Sequence, residues 1–147
     1  MEPQDDEYYM RMALLEAQKA AEHDEVPVGA VVVAGGIVIA RAHNLTETLG
    51  DATAHAEMQA ITAASSWLGG KYLTDCTIYV TVEPCIMCAG AMAWSQVSTL
   101  VFGAADEKKG YTTLNESVLH PKTEVRSGVL SKECSAIMKN FFIKKRS

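Results

Sequence analysis

Thr77-Ile78-Tyr79-Val80-Thr81-Val82-Glu83-Pro84-Cys85-Ile86-Met87-Cys88 reads as a strand, a turn and the opening of a helix. Thr77 to Val82 is β-branched and apolar with little alternation, the pattern of a central strand buried on both faces. Pro84 suits the first position of a helix, so a helix is expected from Cys85 to about Ser95. Cys85 and Cys88, three apart, then share one face at its N-terminus. Free amides and the macrodipole favour thiolates there. A strand that delivers directly into this loop places the cysteine pair beyond a strand C-terminus, where open α/β sheets hold ligands.

Upstream stands Thr53-Ala54-His55-Ala56-Glu57. His55 and Glu57 are two apart and would point to nearly opposite sides of a regular helix. They can share a site only if His55 sits at a helix start, and Asp51 and Thr53 are the expected caps. Two helix N-termini would then face one metal ion. One His and two Cys are the ligand set of a catalytic zinc whose fourth position is left to water. Zinc(II), two thiolates and a neutral imidazole sum to zero charge. The expected cofactor is therefore one Zn2+ on His55, Cys85 and Cys88, with Glu57 as a base that does not bind it. A Cys-x-x-Cys alone would equally suit a redox pair or half a zinc knuckle. His-x-Glu alone carries nothing; the combination in this order carries the catalytic reading.

At 147 residues, 48% hydrophobic and 21% charged, the chain has the composition of one soluble globular domain over 1–147. Its acidic opening, Met1 to Glu7, does not read as a signal peptide. The uncharged run Cys85 to Ala105 holds Ser95, Gln96, Ser98 and Thr99 and falls short of a membrane span. Cys76 and Cys134 read as reduced, buried thiols, which suits a cytoplasmic protein. The net charge of −5 argues against broad nucleic-acid affinity, but it is unevenly spread. Residues 1–25 hold eight acids against two bases, and residues 122–147 seven bases against two acids. A basic C-terminus on an acidic body suits local phosphate contact.

The remaining elements follow in order. Tyr8 to Ala21 reads as a helix with Met10, Ala13, Leu14, Ala17 and Ala21 as its stripe. Val26 to Val33 and Ile37 to Ala40 read as strands joined by a Gly35-Gly36 hairpin. Arg41 to Asp51 reads as a polar loop, and the His55 helix as ending near Ala64. Cys85 to Ser95 is apolar all round, so it needs cover on every side, from a subunit interface or from the core. Leu100 to Phe102 and Glu124 to Arg126 read as short strands. Ser131 is expected to cap a last helix with Cys134, Ile137, Met138 and Phe141 inward. The fold class is α/β, a three-layer α/β/α sandwich with a central mixed sheet of about five strands.

The chain resembles the bacterial tRNA-specific adenosine deaminases, within the cytidine deaminase-like zinc deaminases. The likeness runs nearly end to end through Val26-Pro27-Val28-Gly29-Ala30, Asn44, Thr53 to Glu57, Tyr79 to Cys85, Met87 to Met92, Phe102-Gly103-Ala104 and Phe141-Phe142. A His-x-Glu followed by Pro-Cys-x-x-Cys is the nucleobase deaminase signature. The resemblance implies deamination of the wobble adenosine of a tRNA anticodon to inosine, by a homodimer. It implies that Asn44 bonds the extruded purine, that Val28, Ala56 and Pro84 line the substrate site, and that Asp106 meets the target ribose. It also implies that the last helix, with Phe142 and the basic tail, contacts the anticodon loop. Asn44 capping a turn and Asp106 holding its own loop are the plainer alternatives. The chain departs from the family at Leu119 to Val125, which is short and lacks an Asn-His pair, and at Ala105, where a larger residue is common.

Two rival readings have distinct signatures. A deaminase of a free base such as guanine or cytosine would not need Phe142 beside Lys144, Lys145 and Arg146, although Ala93-Trp94 is similar to guanine deaminases. A non-catalytic zinc or RNA-binding module would need a fourth protein ligand, from His23, His43, His120 or Cys76.

Overall fold

The computed structural model describes residues 5–146; Met1–Gln4, where the acidic opening begins, and Ser147 lie outside them. Helix α1 (Asp6–Glu22) is followed by strands β1 (Gly29–Ala34) and β2 (Ile37–His43), a short helix α2 (Thr46–Leu49) and helix α3 (Ala56–Leu68). Then come β3 (Cys76–Val82), α4 (Ile86–Ser95), β4 (Thr99–Ala104), a 3-10 turn (Tyr111–Thr113), β5 (Glu124–Ser127) and α5 (Ser131–Arg146).

The strands lie in the order β2-β1-β3-β4-β5. β1 is antiparallel to β2 and β3, whereas β3, β4 and β5 run parallel. Gly35 and Gly36, with φ of 56° and 78°, take the two left-handed positions of the expected hairpin. Alternate residues of the central strands face opposite layers. Ala30, Val32, Ile78, Val80, Leu100 and Phe102 pack with Ala56, Ala60 and Ala64 of α3 and Met92 of α4. Val31, Val33, Tyr79 and Val101 pack with Tyr9, Met10 and Ala13 of α1 and Cys134 of α5. Because β1, β3 and β4 are covered on both faces, they read as continuous apolar runs.

This topology gathers distant segments at one sheet end. β3 ends at Val82, just before Pro84 and Cys85, and Ala104 pairs with Val82 on the neighbouring strand. Since β1 is antiparallel to β3, its start at Gly29 lies at that same end, opposite His43, the last residue of β2. Val28, Asn44, Cys85 and Ala105 therefore all emerge on one rim.

Several local expectations are corrected. The Arg41–Asp51 loop contains α2, and β2 extends to His43. Pro84 precedes the cap of α4 and is not its first residue. The cap of α3 is His55 itself; Asp51 instead accepts from the Thr53 N–H and hydroxyl, both at 2.8 Å, holding the turn before it. Ser131 opens α5 as its first residue and does not cap it. The buried stripe of α1 runs through Tyr9 and Ala20, with Leu14 and Ala21 only half-buried. Asp6 fastens α1 to the far edge of the sheet: Arg126 donates to it from Nε at 2.7 Å and the Tyr79 hydroxyl at 2.9 Å.

Candidate active site

His55 and Cys85 are the N-caps of α3 and α4, both in extended backbone (ψ 154° and 174°) just before the helix begins. That is the non-helical geometry His55 needs to face the same way as Glu57. The Nδ1 of His55 lies 3.7 Å from Cys85 Sγ and 3.5 Å from Cys88 Sγ. Bonds of about 2.3 Å to sulfur and about 2.0 Å to nitrogen at tetrahedral angles require an N···S separation of about 3.6 Å. The three donors thus stand at the spacing a tetrahedral zinc needs, and their soft, mixed N/S chemistry suits it.

Among the described residues no other His, Cys, Asp or Glu joins this group. The four residues that could have closed it are engaged elsewhere. His43 bonds Glu16 at 3.1 Å, His23 the Lys19 carbonyl at 2.8 Å, and His120 accepts from the Lys122 N–H at 3.1 Å. Cys76 is buried at the start of β3, about 20 Å along the strand from the site.

The Cys85 thiol is lowered to about 5, chiefly by a hydrogen bond from Cys88, aided by the backbone N–H groups of Cys88 and Met87 and by His55. Cys88, which donates that bond and is buried, is driven strongly upward. Glu57, 4% exposed, lies against the Cys88 side of the cluster. Burial pushes its carboxyl up to about 7, opposed by its own backbone N–H and by His55. A carboxyl poised near neutrality beside a cluster that could hold a metal is equipped to take and return a proton. Cys76 and Cys134 are buried free thiols, and burial raises both; Cys134 reaches about 12.

The rim positions the rest. The Asn44 N–H donates to the Val28 carbonyl at 3.1 Å, joining those two residues. Asn44 is buried, and its Oδ1 accepts from the Thr46 N–H at 3.4 Å. The turn-capping alternative for Asn44 is therefore realised. Gln59 of α3 donates to the His43 carbonyl at 2.9 Å and the Ala54 carbonyl at 3.2 Å, tying this segment to the His55 turn. Ala56 and Pro84 are buried beside the cluster. Asp106 is half-buried, and its Oδ1 accepts from the N–H groups of Lys108 and Lys109, so it does hold its own loop.

Phe142 stands apart, exposed near the end of α5, in the layer on the α1 side of the sheet. A cavity of about 620 Å³ between β4, β5 and the start of α5, with Lys132 and Lys139 on its wall, also lies away from the cluster.

Two buried residues escaped the sequence reading. Glu25 accepts from the Thr48 N–H at 2.6 Å and hydroxyl at 2.7 Å and from the Glu47 N–H at 3.0 Å, anchoring α2 next to Asn44. Glu83 plays the same part for the Asp106 loop. Glu83 had a signal, an acid at the end of the apolar run to Val82, whereas Glu25 ends the polar run Glu22-His23-Asp24-Glu25 and had none.

A family model described as MafB19-like deaminase matches residues 4–146. The tRNA-specific adenosine deaminase of Bacillus subtilis (strain 168) is 49% identical over 142 residues, covering 93% of this chain and 88% of its own length. The chain belongs to the tRNA-specific adenosine deaminase family. A solved structure from work on A-to-I editing by tRNA deaminases at the wobble position is 41% identical, with a TM-score of 0.83 over 88% of this chain and 98% of that one. A guanine deaminase structure from Bacillus subtilis is 36% identical, with a TM-score of 0.67 over 69% of this chain and 66% of that one. The five-stranded mixed sheet between two helical layers is the cytidine deaminase-like fold of this deaminase family.

Proposed function

We propose that this chain converts adenosine to inosine at the wobble position of a tRNA anticodon. The observation that carries the chemistry is a three-donor cluster at zinc spacing with buried Glu57 against it. Zinc bound by His55, Cys85 and Cys88 would supply the Lewis acidity that makes water a nucleophile near neutral pH. Glu57 takes the proton of the attacking water, returns it to ring nitrogen N1 as C6 becomes tetrahedral, and carries the proton of the new C6 hydroxyl to the departing amine as the C–N bond breaks. Adenosine and water thus give inosine and ammonia. The Asn44 amide donates to the purine, Val28, Ala56 and Pro84 wall the pocket, and Asp106 meets the ribose. A stacked base cannot reach the cluster, so the target must be extruded from its loop.

The substrate assignment leans on the tRNA-specific relatives, which cover more of the chain at higher identity than the guanine deaminase does. It leans also on the exposed end of α5, where Phe142 and Ile143 are followed directly by Lys144, Lys145 and Arg146. The working form is a homodimer. Trp94 is 85% and Ile86 47% exposed on the outer face of apolar α4, and a second copy would cover them. Among the described residues no helix is long and apolar enough to cross a membrane, and the cytoplasm, where tRNA is processed, is the expected location.

The test is to incubate the zinc-loaded protein with an anticodon stem-loop and, separately, with free guanine, adenine and cytosine. Inosine at the wobble position, with little ammonia from free bases, supports the reading. Turnover of a free base with none of the RNA would replace it with the nucleobase deaminase reading.

A further inference from the structure

Behind the loop that carries Asp106 stands a carboxylate to which the reaction gives no task. Glu83, 5% exposed, follows β3 and immediately precedes Pro84 and Cys85. Its Oε1 accepts the backbone N–H of Asp106 at 3.1 Å. Its Oε2 accepts both the N–H of Thr112, at 3.0 Å, and the Thr112 hydroxyl, at 2.6 Å. Its own N–H donates to the Ala104 carbonyl at 2.8 Å. Gly110 presses on the same carboxylate: a Cβ there would lie 2.1 Å from Oε2 and 2.6 Å from the Asp106 carbonyl, so the position excludes any side chain. The Tyr111 N–H closes the loop onto the Pro84 carbonyl at 2.9 Å. The loop from Ala104 to Thr113 is thus wound around one buried side chain that shares its backbone with the metal-binding turn.

We propose that Glu83 is the positioning residue of the Asp106 loop, fixing Asp106 relative to Cys85 and so setting where the target ribose lies against the metal cluster. This rests on the ribose contact assigned above to Asp106. The placement is transmitted in two steps. Glu83 holds the Asp106 backbone, and the turn onto Lys108 and Lys109 holds the Asp106 side chain relative to that backbone. The loop cannot drift without leaving a buried carboxylate and its N–H donors unmatched, which is costly. Glutamine would turn an NH2 toward one of the donors and lose half the clamp.

The experiment compares kcat and KM of the zinc-loaded protein with Glu83→Gln, Asp106→Asn and the double variant. The substrates are stem-loops whose target nucleotide carries ribose or 2′-deoxyribose, and zinc content is measured throughout. Glu83→Gln is expected to keep its zinc and to lose about ten- to hundredfold in kcat/KM on the ribose substrate, the scale of a charge-assisted hydrogen bond. It should lose much less on the deoxyribose substrate, and the double variant should be no worse than Asp106→Asn alone. Thr112→Val, which removes only the hydroxyl donor, should move the same ratio by a smaller factor and serves if Glu83→Gln fails to fold. If Asp106→Asn leaves the ribose preference unchanged, the ribose reading of Asp106 falls and this proposal with it. If Asp106→Asn erases that preference, three results would still overturn the proposal alone: an equal loss on both substrates in the Glu83 and Thr112 variants, additivity with Asp106→Asn, or loss of zinc from Glu83→Gln.

Discussion

Glu25 offers the sharpest test of how the rim that carries Val28 and Asn44 is built. It is wholly buried and 21 to 23 residues from the groups it binds, the Thr46 hydroxyl at 3.5 Å and the tighter contacts to Glu47 and Thr48. Glu25→Ala strands two backbone N–H groups, each worth about 1–3 kcal/mol when left without an acceptor. The loss is about 3 kcal/mol, or roughly 10 °C in Tm for a domain of this size. Glu25→Gln retains one acceptor oxygen and should cost about half as much. The pH dependence has a definite sign. Burial alone would raise the carboxyl, but hydrogen bonds from Thr48, Glu47 and Thr46 outweigh it and hold the folded value below the usual 4.5. The stabilisation is therefore complete above that unfolded value and is lost as pH falls through the lower folded one. Thermal melts of both proteins at several pH values should show a gap between wild type and Glu25→Gln that is constant at neutral pH and shrinks in acid. A Glu25→Gln protein within 1 °C of wild type at about pH 7, or a gap that widens in acid, would refute the reasoning.

Other consequences can be measured directly. Glu57→Gln should keep full zinc content and lose about 10²- to 10⁴-fold in kcat as the proton shuttle is removed, whereas His55→Ala should lose the metal. Trp94→Glu should give a folded monomer in sedimentation velocity; an unchanged dimer, or a wild type that is already monomeric, would contradict the interface assigned to α4. Removing residues 140–147 should raise KM for the stem-loop at unchanged zinc content and near-native circular dichroism, and unaltered RNA kinetics would remove the tail from the RNA contact.

What the sequence disclosed and what it hid follow from how local each cause is. β3 was legible because a strand covered on both faces is β-branched or apolar at almost every position, and the glycine pair announced the hairpin by its backbone demand. The grouping of His55, Cys85 and Cys88 was legible because three donors with soft, specific chemistry leave few alternatives, and because His55 and Glu57 can meet only at a helix start. The short helix α2 was not legible. Its four residues carry no periodicity, and it is held by Glu25 from far back in the chain. The Asp106 loop is likewise shaped by Glu83, a contact that spacing does not reveal. The cap of α3 was misplaced at Asp51 and Thr53, and the first residue of α4 at Pro84, because His55 and Cys85, poor capping types by propensity, occupy the cap positions and present their side chains to one another.

The central claim is that His55, Cys85 and Cys88 hold zinc with one corner left open to solvent and guarded by Glu57. X-ray absorption at the zinc edge of the purified protein tests it most directly. The account predicts one zinc per chain, with two sulfurs at about 2.3 Å and two lighter donors at about 2.0 Å, one from His55 and one that exchanges with solvent. Three or four sulfurs, a second histidine in the shell, or a metal-free protein active on RNA would contradict it.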